Sequence, residues 1–189
     1  MRDIYTVPNL LTGCRFAIAP VLLFLLQPGQ GELFGLIASV LFCIGALTDL
    51  ADGYLARKHG IESVLGKLMD PLADKMLVAT PLVMLIPLGR IPAWVSLLII
   101  ARELAVTGLR GLAAASGIVI SASGLGKVKS TFQYTALCIL IFPAALLSIP
   151  HLYDFGRIIL YVSLLLTLWS GFDYFIRFQN IYLNPPSGS

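Results

Sequence analysis

The sequence predicts an all-α integral membrane protein with six transmembrane helices, and three observations lead there. Hydrophobic residues make up 58% of the chain and charged residues only 12%, with a mean hydropathy of +0.89, far outside the range of ordinary globular domains. Apolar runs able to cross a hydrocarbon core recur along all 189 residues. A chain in lipid must satisfy its own backbone polar groups, which helices do segment by segment. Turn-forming clusters then divide the apolar runs into six spans.

The first span runs from about Asn9, read as an N-cap, to Leu26, with Thr12 and Arg15 near its start, and ends at Gln27-Pro28-Gly29-Gln30-Gly31. The second starts near Leu33 and continues through Asp49 and Asp52 to Lys58-His59-Gly60, where Gly60 is the expected stop. Glu62-Ser63 restarts a helix that carries Gly66, Asp70 and Asp74 to about Leu88, with Pro71 expected to kink its early turns. A fourth span follows Pro92 and carries Arg102, Glu103 and Arg110 as far as Ser116-Gly117. After a Ser/Gly-rich loop over 121–126, Lys127, Lys129 and Gln133 lead a fifth span to about Leu147, and the sixth covers Leu152 to Phe178. Residues 1–183 form a single membrane-embedded domain, and 184–189 are a disordered tail without functional weight. No cleavable signal peptide is expected, because the first apolar segment lacks a small-residue cleavage site and is long enough to remain as a membrane helix.

Six spans place both termini on one side. On that side lie Arg2, Arg15, Arg57, Lys58, Lys67, Lys75, Arg102, Arg110, Lys127, Lys129 and Arg177, against Arg90 and Arg157 on the other. The positive-inside rule therefore predicts a multi-pass protein of the cell membrane with both termini and the aspartate-rich stretch in the cytoplasm. A net charge of +3 is too small to argue for nucleic acid. Cys14, Cys43 and Cys138 are odd in number and each lies within an apolar run, so buried structural thiols are expected rather than a disulfide framework or a zinc site. His59 is expected to be solvated, Asp173 to pair with Arg177, and Trp94 and Trp169 to serve as interface anchors or packing.

Chemistry concentrates between residues 49 and 74. At about 100° per residue, Asp49 and Asp52 share one helix face, and Gly66, Asp70 and Asp74 form a stripe on the next. Both pairs lie roughly 12–21 Å from the turn at Gly60, so antiparallel packing makes the four carboxylates converge. An intramembrane charge costs at least about 2.5 kcal/mol, and four without a cation would also repel one another. Divalent cations remove both problems, and an oxygen-only donor set selects Mg²⁺ or Mn²⁺ over zinc. Gly53, Gly66 and Ala56 keep the neighbouring surface low, and Arg57 stands about a turn past Asp52, where it can meet a phosphate.

The pattern Asp-x2-Asp-Gly-x2-Ala-Arg-x8-Gly-x3-Asp-x3-Asp, matched in full from Asp49 to Asp74, resembles the signature of the CDP-alcohol phosphotransferases, membrane enzymes of phospholipid synthesis. That resemblance implies the six-helix fold of the family and a cytoplasm-facing site. It further implies two metal ions held by Asp49, Asp52, Asp70 and Asp74, with Asp74 also the general base. Gly53, Ala56, Arg57 and Gly66 match positions that bind the CDP-linked donor. Pro8-Asn9-Leu10-Leu11-Thr12 with Arg15, Ala101-Arg102-Glu103, Leu109-Arg110, and Gly126-Lys127-Val128-Lys129-Ser130 with Gln133 resemble the phosphatidylglycerophosphate synthase branch. This adds Asn9 and Thr12 to the donor site. The expected activity is transfer of the phosphatidyl group from CDP-diacylglycerol to sn-glycerol 3-phosphate with release of CMP. Arg110, Lys127, Lys129 and Arg102 are candidates for the acceptor phosphate, although Arg102 and Glu103 fit a structural ion pair equally well. Family members often form homodimers, and small residues on the weakly charged spans allow one here.

Two alternatives stand beside this reading. Within the family, the acceptor could be inositol phosphate, serine or phosphatidylglycerol. From another class, a small cation channel or transporter would use membrane aspartates to line its path. Against the latter, the carboxylates cluster near one interface and no polar residues continue the path through the other half of the bundle.

Overall fold

The computed structural model describes residues 7–59, 64–115, 124–146 and 148–183, with side chains described for 13–48, 72–115, 128–146 and 148–181. Six α-helices follow in order: α1 (Val7–Leu25), α2 (Glu32–His59), α3 (Val64–Met84), α4 (Ala93–Ala115), α5 (Gly124–Ile141) and α6 (Leu152–Leu183), with one 3₁₀ turn at Ala144–Leu146. No strand occurs among the described residues.

Helix α1 packs on α2 and α3, α4 bridges α3 and α6, and α5 lies against α6 and α2. Leu22, Phe42, Leu77, Leu82, Ile99, Leu137 and Leu160 fill the core. The surface is more unusual than the core. Leu33, Leu97, Leu165, Trp169 and Phe172 are each about two-thirds exposed, while Arg15, Lys129, Gln133, Ser163 and Thr167 are buried. In water that arrangement would forfeit the hydrophobic driving force; in lipid it is the stable one. Among the described residues, Leu152–Ile181 is long and apolar enough by itself to cross a membrane, and Gly13–Leu25, Glu32–Thr48 and Val128–Ile141 are shorter apolar helical stretches.

Several boundaries differ from expectation. Helix α1 begins two residues before Asn9, which therefore lies in its first turn instead of capping it. Helix α3 passes through Pro71 as continuous helix and stops at Met84, four residues before Leu88, because Pro87 cannot donate to a further helical turn. The chain there folds into a turn closed by Arg90 N–H donating to Leu85 O at 3.1 Å, with Gly89 at φ +68°. Helix α5 ends at Ile141, just before Pro143, and α6 runs five residues past Phe178. The turn at Gln27–Gly31 is found where expected, with Gly29 at φ +88°. Gly60, Glu62-Ser63, residues 121–123 and the 184–189 tail lie outside the described residues, while Gly124, Leu125 and Gly126, expected in the Ser/Gly-rich loop, open α5 instead.

Arg90 ties three connections together. Its Nη1 donates to Leu140 O at 2.7 Å and Ile141 O at 2.9 Å, satisfying the last carbonyls of α5, and its guanidinium lies 4.4 Å from the centre of the Tyr153 ring on α6. Burial holds its pKa below the ordinary guanidinium value, with Tyr153 acting in the opposite direction.

Candidate functional site

The signature residues fall on two consecutive helices, with Asp49, Asp52, Gly53, Ala56 and Arg57 on α2 and Gly66, Asp70 and Asp74 on α3. Of these, the side chain of Asp74 is described; those of the others, and of Asn9, Thr12 and Lys127, lie outside the described residues. The helix register nevertheless bears on the site. At Gly45, a Cβ would meet Leu77 Cδ1 at 3.0 Å and Ile18 Cδ1 at 3.5 Å, so the missing side chain lets α1, α2 and α3 approach closely at this level. Two packed helices separated by four residues form an antiparallel hairpin. In an ideal antiparallel register counted outward from the contact of Gly45 with Leu77, position 49 falls opposite 73 and position 52 opposite 70.

Asp74 forms an ion pair with Arg15 of α1. Arg15 is only 1% exposed, whereas the Asp74 side chain keeps 33% of its surface accessible. A buried guanidinium thus orients the carboxylate while leaving part of it open. Asp74 also lines a largely apolar cavity of about 430 Å³ between α3, α4 and α5. Its polar lining comprises Asp74, Lys75, Glu103, Thr107, Ser130 and Gln133, and Met76, Leu82, Ile99 and Leu104 are among the apolar walls.

The residues expected at the acceptor phosphate separate into two groups. Arg102 and Lys129 converge on Glu103, Arg102 through Nη1 at 2.9 Å and Lys129 through its ammonium, and Lys75 joins them at 2.5 Å. The other terminal nitrogen of Arg102 donates to Ser170 Oγ at 2.5 Å. Arg110 is exposed and lies 5.9 Å from the centre of the Tyr174 ring. Arg177 pairs with Asp173 at 3.0 Å, as the i,i+4 spacing predicts.

Two contacts are not evident from the sequence: the salt bridge from Arg15 to Asp74, and the role of Glu103 as the meeting point of three cations. The one available signal is that an ionisable group inside a membrane helix requires a partner. The thiols depart from expectation. Cys14 is exposed, and Cys43 on α2 and Cys138 on α5 are half-buried with their sulfurs 3.0 Å apart. Among the described residues, no cluster of three or more His, Cys, Asp or Glu is found.

Comparison with known proteins agrees with the geometry. The model of the CDP-alcohol phosphatidyltransferase family matches residues 5–169. The chain belongs to that family. A relative in Bacillus subtilis (strain 168), named CDP-diacylglycerol--glycerol-3-phosphate 3-phosphatidyltransferase, is 38% identical over 92% of this chain and 95% of its own length. One of the same name in Rickettsia felis is 36% identical over 93% of this chain and 96% of its own length. A probable phosphatidylglycerophosphate synthase of Mycobacterium tuberculosis (strain CDC 1551 / Oshkosh) is 38% identical over 92% and 82%. CDP-alcohol phosphatidyltransferases are membrane-associated and use divalent metal ions, and the exposed apolar side chains described above accord with a membrane setting.

Proposed function

We propose that this chain transfers the phosphatidyl group from CDP-diacylglycerol to sn-glycerol 3-phosphate, giving phosphatidylglycerol phosphate and CMP. The observation that carries this reading is that relatives named for the reaction match over more than nine-tenths of the chain. The complete signature from Asp49 to Asp74 and the partly open Asp74 carboxylate support it.

Two divalent ions, Mg²⁺ or Mn²⁺, would be held by Asp49, Asp52, Asp70 and Asp74. The residues fit such ions: the donors are oxygen only, and the Gly45 contact supports a level register of their helix positions. When bound, the ions neutralise charge on the diphosphate and its leaving group. Arg57, Gly53, Ala56 and Gly66 border the donor nucleotide together with Asn9 and Thr12. Asp74, oriented by Arg15, takes the proton from the acceptor hydroxyl as its oxygen bonds to the phosphorus that carries diacylglycerol. The bond from that phosphorus to CMP breaks. Arg110 and Lys127 attract the acceptor phosphate, while Lys129, buried against Glu103, acts from behind the cavity wall.

Helices α1 to α6 are each a membrane span, with both termini and the signature in the cytoplasm and the protein a homodimer in the cell membrane. Exposed apolar side chains along the helices support the spans. The lysines and arginines near the termini and the α2–α3 and α4–α5 connections support the orientation.

The test is CMP release by purified protein in mixed micelles with CDP-diacylglycerol and Mg²⁺. Release is expected with sn-glycerol 3-phosphate and not with inositol phosphate, serine or phosphatidylglycerol, and EDTA should abolish it until Mg²⁺ is restored. Release with one of the other alcohols alone would overturn the acceptor assignment and keep the family chemistry.

A further inference from the structure

Glu103 gathers charge from three helices. Its Oε2 accepts from Lys75 Nζ of α3 at 2.5 Å, and its Oε1 accepts from Arg102 Nη1 of α4 at 2.9 Å and from the Lys129 ammonium of α5. Three cations share one carboxylate, so the cluster is net positive. Burying such a surplus among apolar helices is unfavourable unless an anion completes it.

The three cations are not equivalent. Lys75 lines the cavity beside Asp74, as does Glu103, and its side chain is 31% exposed. Lys129 and Arg102 do not line the cavity, and the Lys129 side chain is only 8% exposed. Arg102 is spent on both terminal nitrogens, one on Glu103 and one on Ser170, and its Nε is buried without a hydrogen-bond partner among the described residues. Its stem crosses α6 at Gly171, where a Cβ would come within 3.0 Å of both Cγ and Nε. A side chain held at both ends over a glycine built to admit it behaves as a strut.

Resting on the reading above, we propose that Glu103 is a positioning residue which, braced by Arg102 and Lys129, holds the Lys75 ammonium at the cavity wall beside Asp74, where Lys75 receives the anionic group of the acceptor. Arg102 acts through Glu103 and does not touch the acceptor. The α6 face at Ser170 and Gly171 then contributes to acceptor affinity although it lies outside the cavity. The geometry also explains why a lysine follows Asp74: proton acceptor and anion-binding cation are set side by side in the same cavity.

The test is a steady-state comparison of KM for each substrate, with thermal unfolding in detergent as the check on folding. Glu103→Gln should raise KM for sn-glycerol 3-phosphate about tenfold and leave KM for CDP-diacylglycerol within about twofold. Lys75→Met should do the same and Lys75→Arg should recover most of the loss. Ser170→Ala, which removes the hydroxyl that accepts from Arg102 and its local bond to Thr167 O, and Gly171→Ala, which crowds the Arg102 stem, should raise the acceptor KM about threefold. Equal rises in both KM values, or an unchanged acceptor KM in Glu103→Gln, would overturn the proposal. Should Glu103→Gln not fold, Ser170→Ala decides by the same criterion. A wild type active with sn-glycerol 3-phosphate whose variants show no split overturns this inference alone, whereas a wild type that releases CMP only with an uncharged alcohol overturns the acceptor reading as well.

Discussion

Asp74 and Arg15 show how one residue pair joins folding to chemistry. Arg15 is 1% exposed and pairs with Asp74, so a guanidinium held away from water meets a carboxylate that stays partly open. Asp74→Asn keeps an oxygen that can accept from Arg15 but removes the charge and the base. Turnover should fall below detection while CDP and metal binding, read by calorimetry, are largely retained; an active Asp74→Asn would refute the base assignment. Among the residues proposed for the acceptor, Arg110 is exposed and holds its guanidinium near Tyr174, apart from the Glu103 cluster. Arg110→Ala and Lys127→Ala should therefore raise KM for the acceptor more than for the donor, by about three- to tenfold; equal effects on both would assign these residues to structure. The proposed metal-site aspartates stand out in the sequence because carboxylates in an apolar chain demand an explanation. Lys75 and Arg15 do not, because a single cation on a helix does not name its partner.

Among the helices, close approach is decided by glycines whose significance lies in their neighbours. At Gly156 on α6, a Cβ would stand 2.9 Å from Leu140 Cγ and Cδ2 and 3.0 Å from Ile139 Cγ2, and Leu140 is fully buried. The branch carbon of Leu140 cannot swing away as the end of a flexible chain would. Gly156→Ala should thus push α5 and α6 apart and destabilise the protein by about 1–3 kcal/mol, seen as a lower midpoint of thermal unfolding in detergent, with Gly108→Ala, where a Cβ meets no neighbouring helix within 4 Å, as the control that should not lose stability. Helix positions were readable from apolar length and turn clusters to within a few residues for α2, α4 and the start of α6. The ends of α3 and α5 were overextended because Leu85–Leu88 and Phe142–Leu147 remain apolar, while Pro87 and Pro143 had already ended the helices.

For the molecule in its bilayer, the proposed orientation rests on how the positive charges divide between the two sides. Arg15, Lys75, Arg102 and Lys129 are engaged by Asp74 or Glu103, which weakens them as topological signals. Arg2, Arg57, Lys58, Lys67, Arg110, Lys127 and Arg177 still outnumber Arg90 and Arg157, and Arg90 itself is taken up by the end of α5. Single cysteines placed at Ile149 and Ser187 in a cysteine-free background should differ in intact spheroplasts: Ile149→Cys should react with an impermeant maleimide, and Ser187→Cys only after permeabilisation. The reverse pattern would invert the proposed topology. By itself, the sequence determined the helical membrane class, the family and the donor chemistry, because composition and a fixed spacing of carboxylates are local properties of the chain. Only the tertiary structure decided which charges meet. Arg15 joins Asp74 across 59 residues, and Glu103 collects Lys75 and Lys129 from two other helices. Such pairings depend on helix packing and rotation, which no local pattern encodes.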